Sequence, residues 1–191
     1  FVFGSDGDDI LRADNGGIII IPIDGVPTPI AFGNLMFGSG GEDTIRSLGR
    51  LVTPAVPPME IDLLFGGACN DDISAGDGMN LAFGNQANDT IVAGQGINLL
   101  FGNSGEDHIT GGIGGLSLNV AFGNRDNDVV TGGNGVNVLF GNRGDDTVTG
   151  ANGLNIAFGN RGNDVVTAGA GVAILFGNSG TDRVEGGAGL S

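Results

Sequence analysis

An all-β fold built as a parallel solenoid follows from three features of the sequence. A Phe-Gly pair returns at a fixed interval, an Asp stands six residues after each of these Phe, and 40 of the 191 residues are glycine. The repeated Phe are Phe3, Phe37, Phe65, Phe83, Phe101, Phe122, Phe140, Phe158 and Phe176, with spacings of 34, 28, 18, 18, 21, 18, 18 and 18. The unit is therefore 18 residues, lengthened in three places by 16, 10 and 3 residues. A fixed period of this size is the mark of stacked repeats, none of which can bury its apolar face alone.

Each unit divides into two nines. "GNRGDDTVT" follows Phe140, and "GANGLNIAF" completes the rung. The sixth position is Asp in the first half and Asn in the second. The Asp column runs without a gap through Asp9, Asp43, Asp71, Asp89, Asp107, Asp128, Asp146, Asp164 and Asp182. The Asn column is Asn34, Asn80, Asn98, Asn119, Asn137 and Asn155, broken by Asp62 and Ala173. β-Branched tripeptides such as "TVT" and "VVT" after the Asp suit strands, and glycines supply the positive φ of tight turns. With strands about 4.8 Å apart, nine rungs make a rod about 43 Å long. Residues 1–64 form irregular rungs with two insertions and 65–191 form regular ones, within one continuous domain.

The remaining bulk features bound the function. Net charge is −15, with seven Arg and no Lys, which disfavours nucleic acid and favours a cation as partner. No apolar run approaches the ~20 residues of a membrane-spanning helix. A single cysteine, Cys69, excludes an internal disulfide. The chain opens mid-repeat with "FVFG" and reads as part of something longer. One His, one Cys and no nucleophile or metalloprotease motif argue against an enzyme. The carboxylates recur in equivalent settings, whereas acid–base chemistry needs two distinct ones.

The period and the Asp column resemble the RTX (repeats-in-toxin) family, whose nonapeptide signature is G-G-x-G-x-D-x-U-x. The resemblance covers nearly the whole chain. It is weaker in the glycines: only Gly66-Gly67 gives the doubled Gly on the Asp side, and Cys69, Ala87 and Asp126 replace the later turn Gly. Alternation of Asp with Asn halves the number of metal sites the family pattern implies. The resemblance implies a right-handed parallel β-roll (β-solenoid) that binds calcium. It also implies a bacterial protein, secreted or at the cell surface and folded by external calcium.

Physical chemistry points the same way. Carboxylates ~4.8 Å apart repel by about 3.5 kcal/mol at an effective dielectric near 20, whereas calcium accepts six to eight oxygens from carboxylates and carbonyls. All three insertions fall after the Asp-side strand, and every Phe-Gly-to-Asp turn keeps one length. A turn fixed to metal at each rung cannot absorb extra residues. The nine Asp are thus the expected calcium ligands, and the Asn column is expected to be joined by amide hydrogen bonds.

The strand before each Phe is apolar on both faces, as in "LLF", "VAF" and "ILF". Either Phe points outward, with Ala82, Leu100, Ala121, Leu139, Ala157 and Leu175 inward, or the reverse. In both registers an apolar strip of Phe, Leu or Ala remains outside and calls for a cover: a second copy, a neighbouring domain or another part of the chain. The Ala/Leu alternation has a 36-residue period, explained by duplication or by a two-rung unit matching a partner. His108 reads as a solvated strand residue. Arg125, Arg143 and Arg161 read as partial neutralisation of Asp126 and Asp145, or as a grip for an anionic polysaccharide or phosphate. Residues 46–61, with three prolines, read as an outward loop.

The expected role is structural: a calcium-binding rod in an adhesin, a surface layer or a self-assembled fibre. The alternative is a calcium-dependent folding and secretion module of a toxin or hydrolase. Ice binding through outward Thr such as Thr147 and Thr149 is disfavoured, because Val, His and Arg interrupt those columns.

Overall fold

A computed structural model describes residues 2–13, 18–23, 26–31, 34–47, 61–114 and 117–190. Two nine-stranded parallel sheets run the length of the molecule, so nine rungs are stacked. One sheet carries the Phe column and the other lies just beyond the Asp column. In a regular rung the Phe strand is long and the other short, as in Gly135–Arg143 and Thr147–Thr149. The Phe strand therefore runs past Phe140 into the turn. Register is strict: Phe122 pairs with Phe140 and Phe140 with Phe158, while Val130 pairs with Val148 and Val148 with Val166.

Strand alternation fixes what lies inside. Asn98, Leu100 and Gly102 are buried, whereas Leu99 and Phe101 are only partly so. Ala82, Leu100, Ala121, Leu139 and Ala157 are fully enclosed, with Ile73, Ile91, Ile109, Val130, Val148 and Val166 in the core column of the other sheet. Phe therefore faces out, which decides between the two registers. The Ala/Leu alternation is internal packing and offers no two-rung surface to a partner.

The Phe rings stack on one another along the outside, with centroids 4.8–5.1 Å apart and planes 3–7° from parallel. Such pairs contribute roughly 0.5–1.5 kcal/mol each beyond burial. Beside them run a Leu/Val/Ile column (Leu81, Leu99, Val120, Val138, Ile156) and a more exposed one. The latter includes Ile97, Leu118, Val136, Leu154 and Val172, each 39–49% exposed.

The long insertion after Ile10–Ala13 carries an antiparallel hairpin, Ile18–Ile23 with Val26–Ala31. The loop expected over 46–61 is shorter at both ends. Arg46 and Ser47 complete the strand Thr44–Ser47 and Ile61 opens Ile61–Ala68, while 48–60 lie outside the described residues. His108 is an exposed strand residue, and Cys69 is exposed and free.

Candidate metal centre

The turn from Phe to Asp explains why Phe-Gly always precedes the Asp. After Gly102 come Asn103 at φ 86° and Gly105 at φ 123°, and the same pair of left-handed residues recurs at Asn142 and Gly144 and at Asn160 and Gly162. Asn tolerates that region better than other residues with a β-carbon, so it replaces the second Gly of the nonapeptide without changing the turn. Cys69, Ala87 and Asp126 hold the left-handed region too, at φ 74°, 73° and 72°. The Gly after Phe is demanded by space. A Cβ built on Gly102 would overlap Asp107 Oδ2, and one on Gly141 would overlap Asp146 Oδ2.

This turn folds the Asp side chain inward. Asp43, Asp71, Asp89, Asp107, Asp128, Asp146 and Asp164 are each at most 3% exposed, while the end members Asp9 and Asp182 are partly exposed. All nine belong to one ladder. The backbone N–H of each Asp donates to Oδ1 of the next, from Asp9 to Asp43 at 2.9 Å through Asp164 to Asp182 at 3.0 Å.

Accounting for one Asp exposes the deficit. Asp128 N donates to Asp146 Oδ1, its carbonyl accepts from Thr147 N at 2.8 Å, and its Oδ1 accepts from Asp107 N. Its Oδ2 is buried and has no partner, as is Oδ2 of Asp43, Asp71, Asp89, Asp107, Asp146 and Asp164. An unpaired buried carboxylate oxygen is costly.

The Asn column is the control built into the same molecule. Asn137 Nδ2 donates to Gly133 O and to Asn155 Oδ1, both at 2.8 Å. Its Oδ1 accepts from Asn119 Nδ2 at 2.8 Å and from Gly133 N at 3.0 Å. All four positions of the amide are filled. The expected amide ladder runs unbroken from Asn80 to Asn155. At its start, Asp62 accepts from Asn34 N and Ser47 Oγ, and Asn80 Oδ1 is left without a donor.

Burial first, then the neighbouring carboxylates, raises the Asp column against the opposing effect of the backbone hydrogen bond. Asp71 and Asp146 are pushed up to about 6, Asp107 to about 7, and Asp89 and Asp128 to about 8. Asp43 and Asp164 are raised as well. Each unpaired Oδ2 therefore calls for a proton or a cation. The donor set fits a hard cation: every side chain in the column offers oxygen, and one oxygen per interior rung is free. Among the described residues no three acidic, His or Cys side chains gather at one point.

Among the described residues Arg125, Arg143 and Arg161, read as partly neutralising Asp126 and Asp145, make no direct ion pair with them. Among the described residues the ion pairs are Arg46 with Asp72 at 3.9 Å and Arg183 with Glu185 at 2.5 Å.

Fold and site together define a parallel β-solenoid whose inward Asp ladder lies under a repeated left-handed turn. The profile of the RTX calcium-binding nonapeptide repeat matches residues 1–17, 61–80, 83–115, 113–148, 122–157 and 158–189. The chain belongs to that family. Comparisons with curated proteins and with solved structures returned no match. Among the described residues no helix is long and apolar enough to cross a membrane.

Proposed function

We propose that the chain is a structural rod organised by calcium along Asp9, Asp43, Asp71, Asp89, Asp107, Asp128, Asp146, Asp164 and Asp182. It serves outside a bacterial cell, in an adhesin, surface layer or fibre. The observation that carries this reading is the contrast between a saturated Asn ladder and an Asp ladder with seven unpaired Oδ2 atoms. Bound calcium would supply positive charge to those oxygens and cancel the repulsion between rungs. The chain's own part is to hold the carboxylates in line and keep water from them. The role is mechanical rather than catalytic.

A second copy is the proposed cover for the Phe face. Nine rungs of about 4.8 Å and four residues of strand give a face of about 40 by 13 Å, so two copies would bury roughly 1,000 Å². Every column on that face repeats at the same step, which a partner of identical period matches along its whole length.

The test is a calcium titration of chelated protein, followed by circular dichroism and light scattering together. β Signal that appears with calcium, disappears with chelator and is accompanied by rising scatter is the expected result. A chain folded equally well in chelator at neutral pH would defeat the calcium mechanism. Folding without association would defeat the second copy alone.

A further inference from the structure

We propose that Arg125, Arg143 and Arg161 form a binding strip for an anionic polysaccharide carrying one carboxylate per sugar residue. The three are adjacent in register, Arg125 opposite Arg143 and Arg143 opposite Arg161. All are exposed. Their rungs are separated by the stacking distance of Phe122, Phe140 and Phe158, 4.8 and 4.9 Å.

The nearby acids are engaged elsewhere. Asp126 Oδ2 accepts from Gly105 N at 3.1 Å, and Asp145 Oδ1 accepts from Asn163 N at 2.7 Å. Neither forms an ion pair with an arginine. Like charges directly opposite one another on neighbouring strands are unfavourable alone. A line of three is relieved by a flexible chain that carries counter-charges along its length. Guanidinium also matches carboxylate in a paired, planar geometry.

The surroundings favour sugar over nucleic acid. The strip continues through Gln86 and Ser104 on one side and Ser179 on the other, all uncharged donors. Beside it Asn142 donates to Asn124, Asn160 to Asn142 and Asn178 to Asn160, at 3.1–3.3 Å. Each of these amides uses one of its two N–H groups in that ladder, which leaves the other for hydroxyls. The Phe rings are stacked on each other and present edges, so they give bases no platform.

The experiment is a calorimetric titration of the calcium-loaded protein with a glucuronate hexamer, at buffered free calcium and low salt. Cellohexaose and a hexanucleotide serve as comparisons. The glucuronate hexamer is expected to bind with a salt slope of about two counterions, and cellohexaose is not. Arg143→Gln should weaken binding about tenfold with unchanged circular dichroism. Ser104→Arg, which lengthens the strip, should tighten it, and it keeps the strip testable should Arg143→Gln fold poorly. The proposal is overturned if the glucuronate hexamer fails to bind at millimolar concentration, if cellohexaose binds equally, or if the hexanucleotide binds better. Binding insensitive to these substitutions overturns it as well.

Discussion

Single atoms decide much in a rung this narrow. Gly141 touches Asp146 Oδ2 so closely that a methyl cannot enter, and its φ is not left-handed, so the penalty for Gly141→Ala is steric. Urea unfolding with calcium present should show a loss of about 1–3 kcal/mol. Ala87→Gly should act in the opposite sense, by about 1 kcal/mol, because Ala87 sits at φ 73° where a β-carbon is unfavourable. Equal effects at the two sites would mean that the turn does not have this geometry. Asp62→Asn places an amide donor beneath Asn80 Oδ1, which has none. It should raise the melting temperature, and a fall would show that losing the acceptor for Ser47 Oγ outweighs the new bond to Asn80. That vacancy in the amide ladder was visible in the sequence as a break in the Asn column. Its cost was not, because only the direction of donation shows which atom is stranded.

Strands supply the stiffness, and their interior is made from very few residue types. Leu139 is fully buried between Ala121 and Ala157 in its own column. Leu139→Ala would put three Ala in succession and leave a cavity, at a cost of about 2–5 kcal/mol. Thermal unfolding of that variant beside Leu99→Ala, on the outer face, separates core from surface: the outer change should cost far less in dilute solution. The 18-residue period, the two sheets and the Asp and Asn columns were all legible in the sequence, because stacking repeats the same constraint nine times. The direction of the Phe strand was harder to read, since both of its faces are apolar. Parity held the answer: Asn98, Leu100 and Gly102 share one face, and Gly102 must lie inside to make room for Asp107. The freedom of the three arginines could not be read, because sequence proximity to Asp126 and Asp145 says nothing of where those carboxylates turn.

Taken together, the rungs form one titrating column. Asp71, Asp89, Asp107, Asp128 and Asp146 are raised from 3.8 to between about 6 and about 8 by burial. Between those limits the folded chain binds more protons than the unfolded one. The column's contribution to calcium-free stability is therefore fully present below about pH 4 and lost as pH rises through 6 to 8. With excess calcium the trend reverses, because the ion needs the deprotonated oxygens. Melting curves in chelator and in calcium, at constant ionic strength, should cross between pH 4 and 8. A calcium-free melting temperature that is flat or rising over that range would contradict the burial of the column.

The amide ladder also has a sense. Asn80 donates to Asn98, Asn98 to Asn119, Asn119 to Asn137 and Asn137 to Asn155, always toward the higher-numbered rung. The Asp backbone donates the same way. These two buried ladders thus have a direction, opposite to that of the outer ladder from Asn178 to Asn124 and of the backbone bond from Thr147 N to Asp128 O. Two rods can extend the buried ladders from one to the next only tip to tail, so a filament that continued them would be polar, with two chemically different ends.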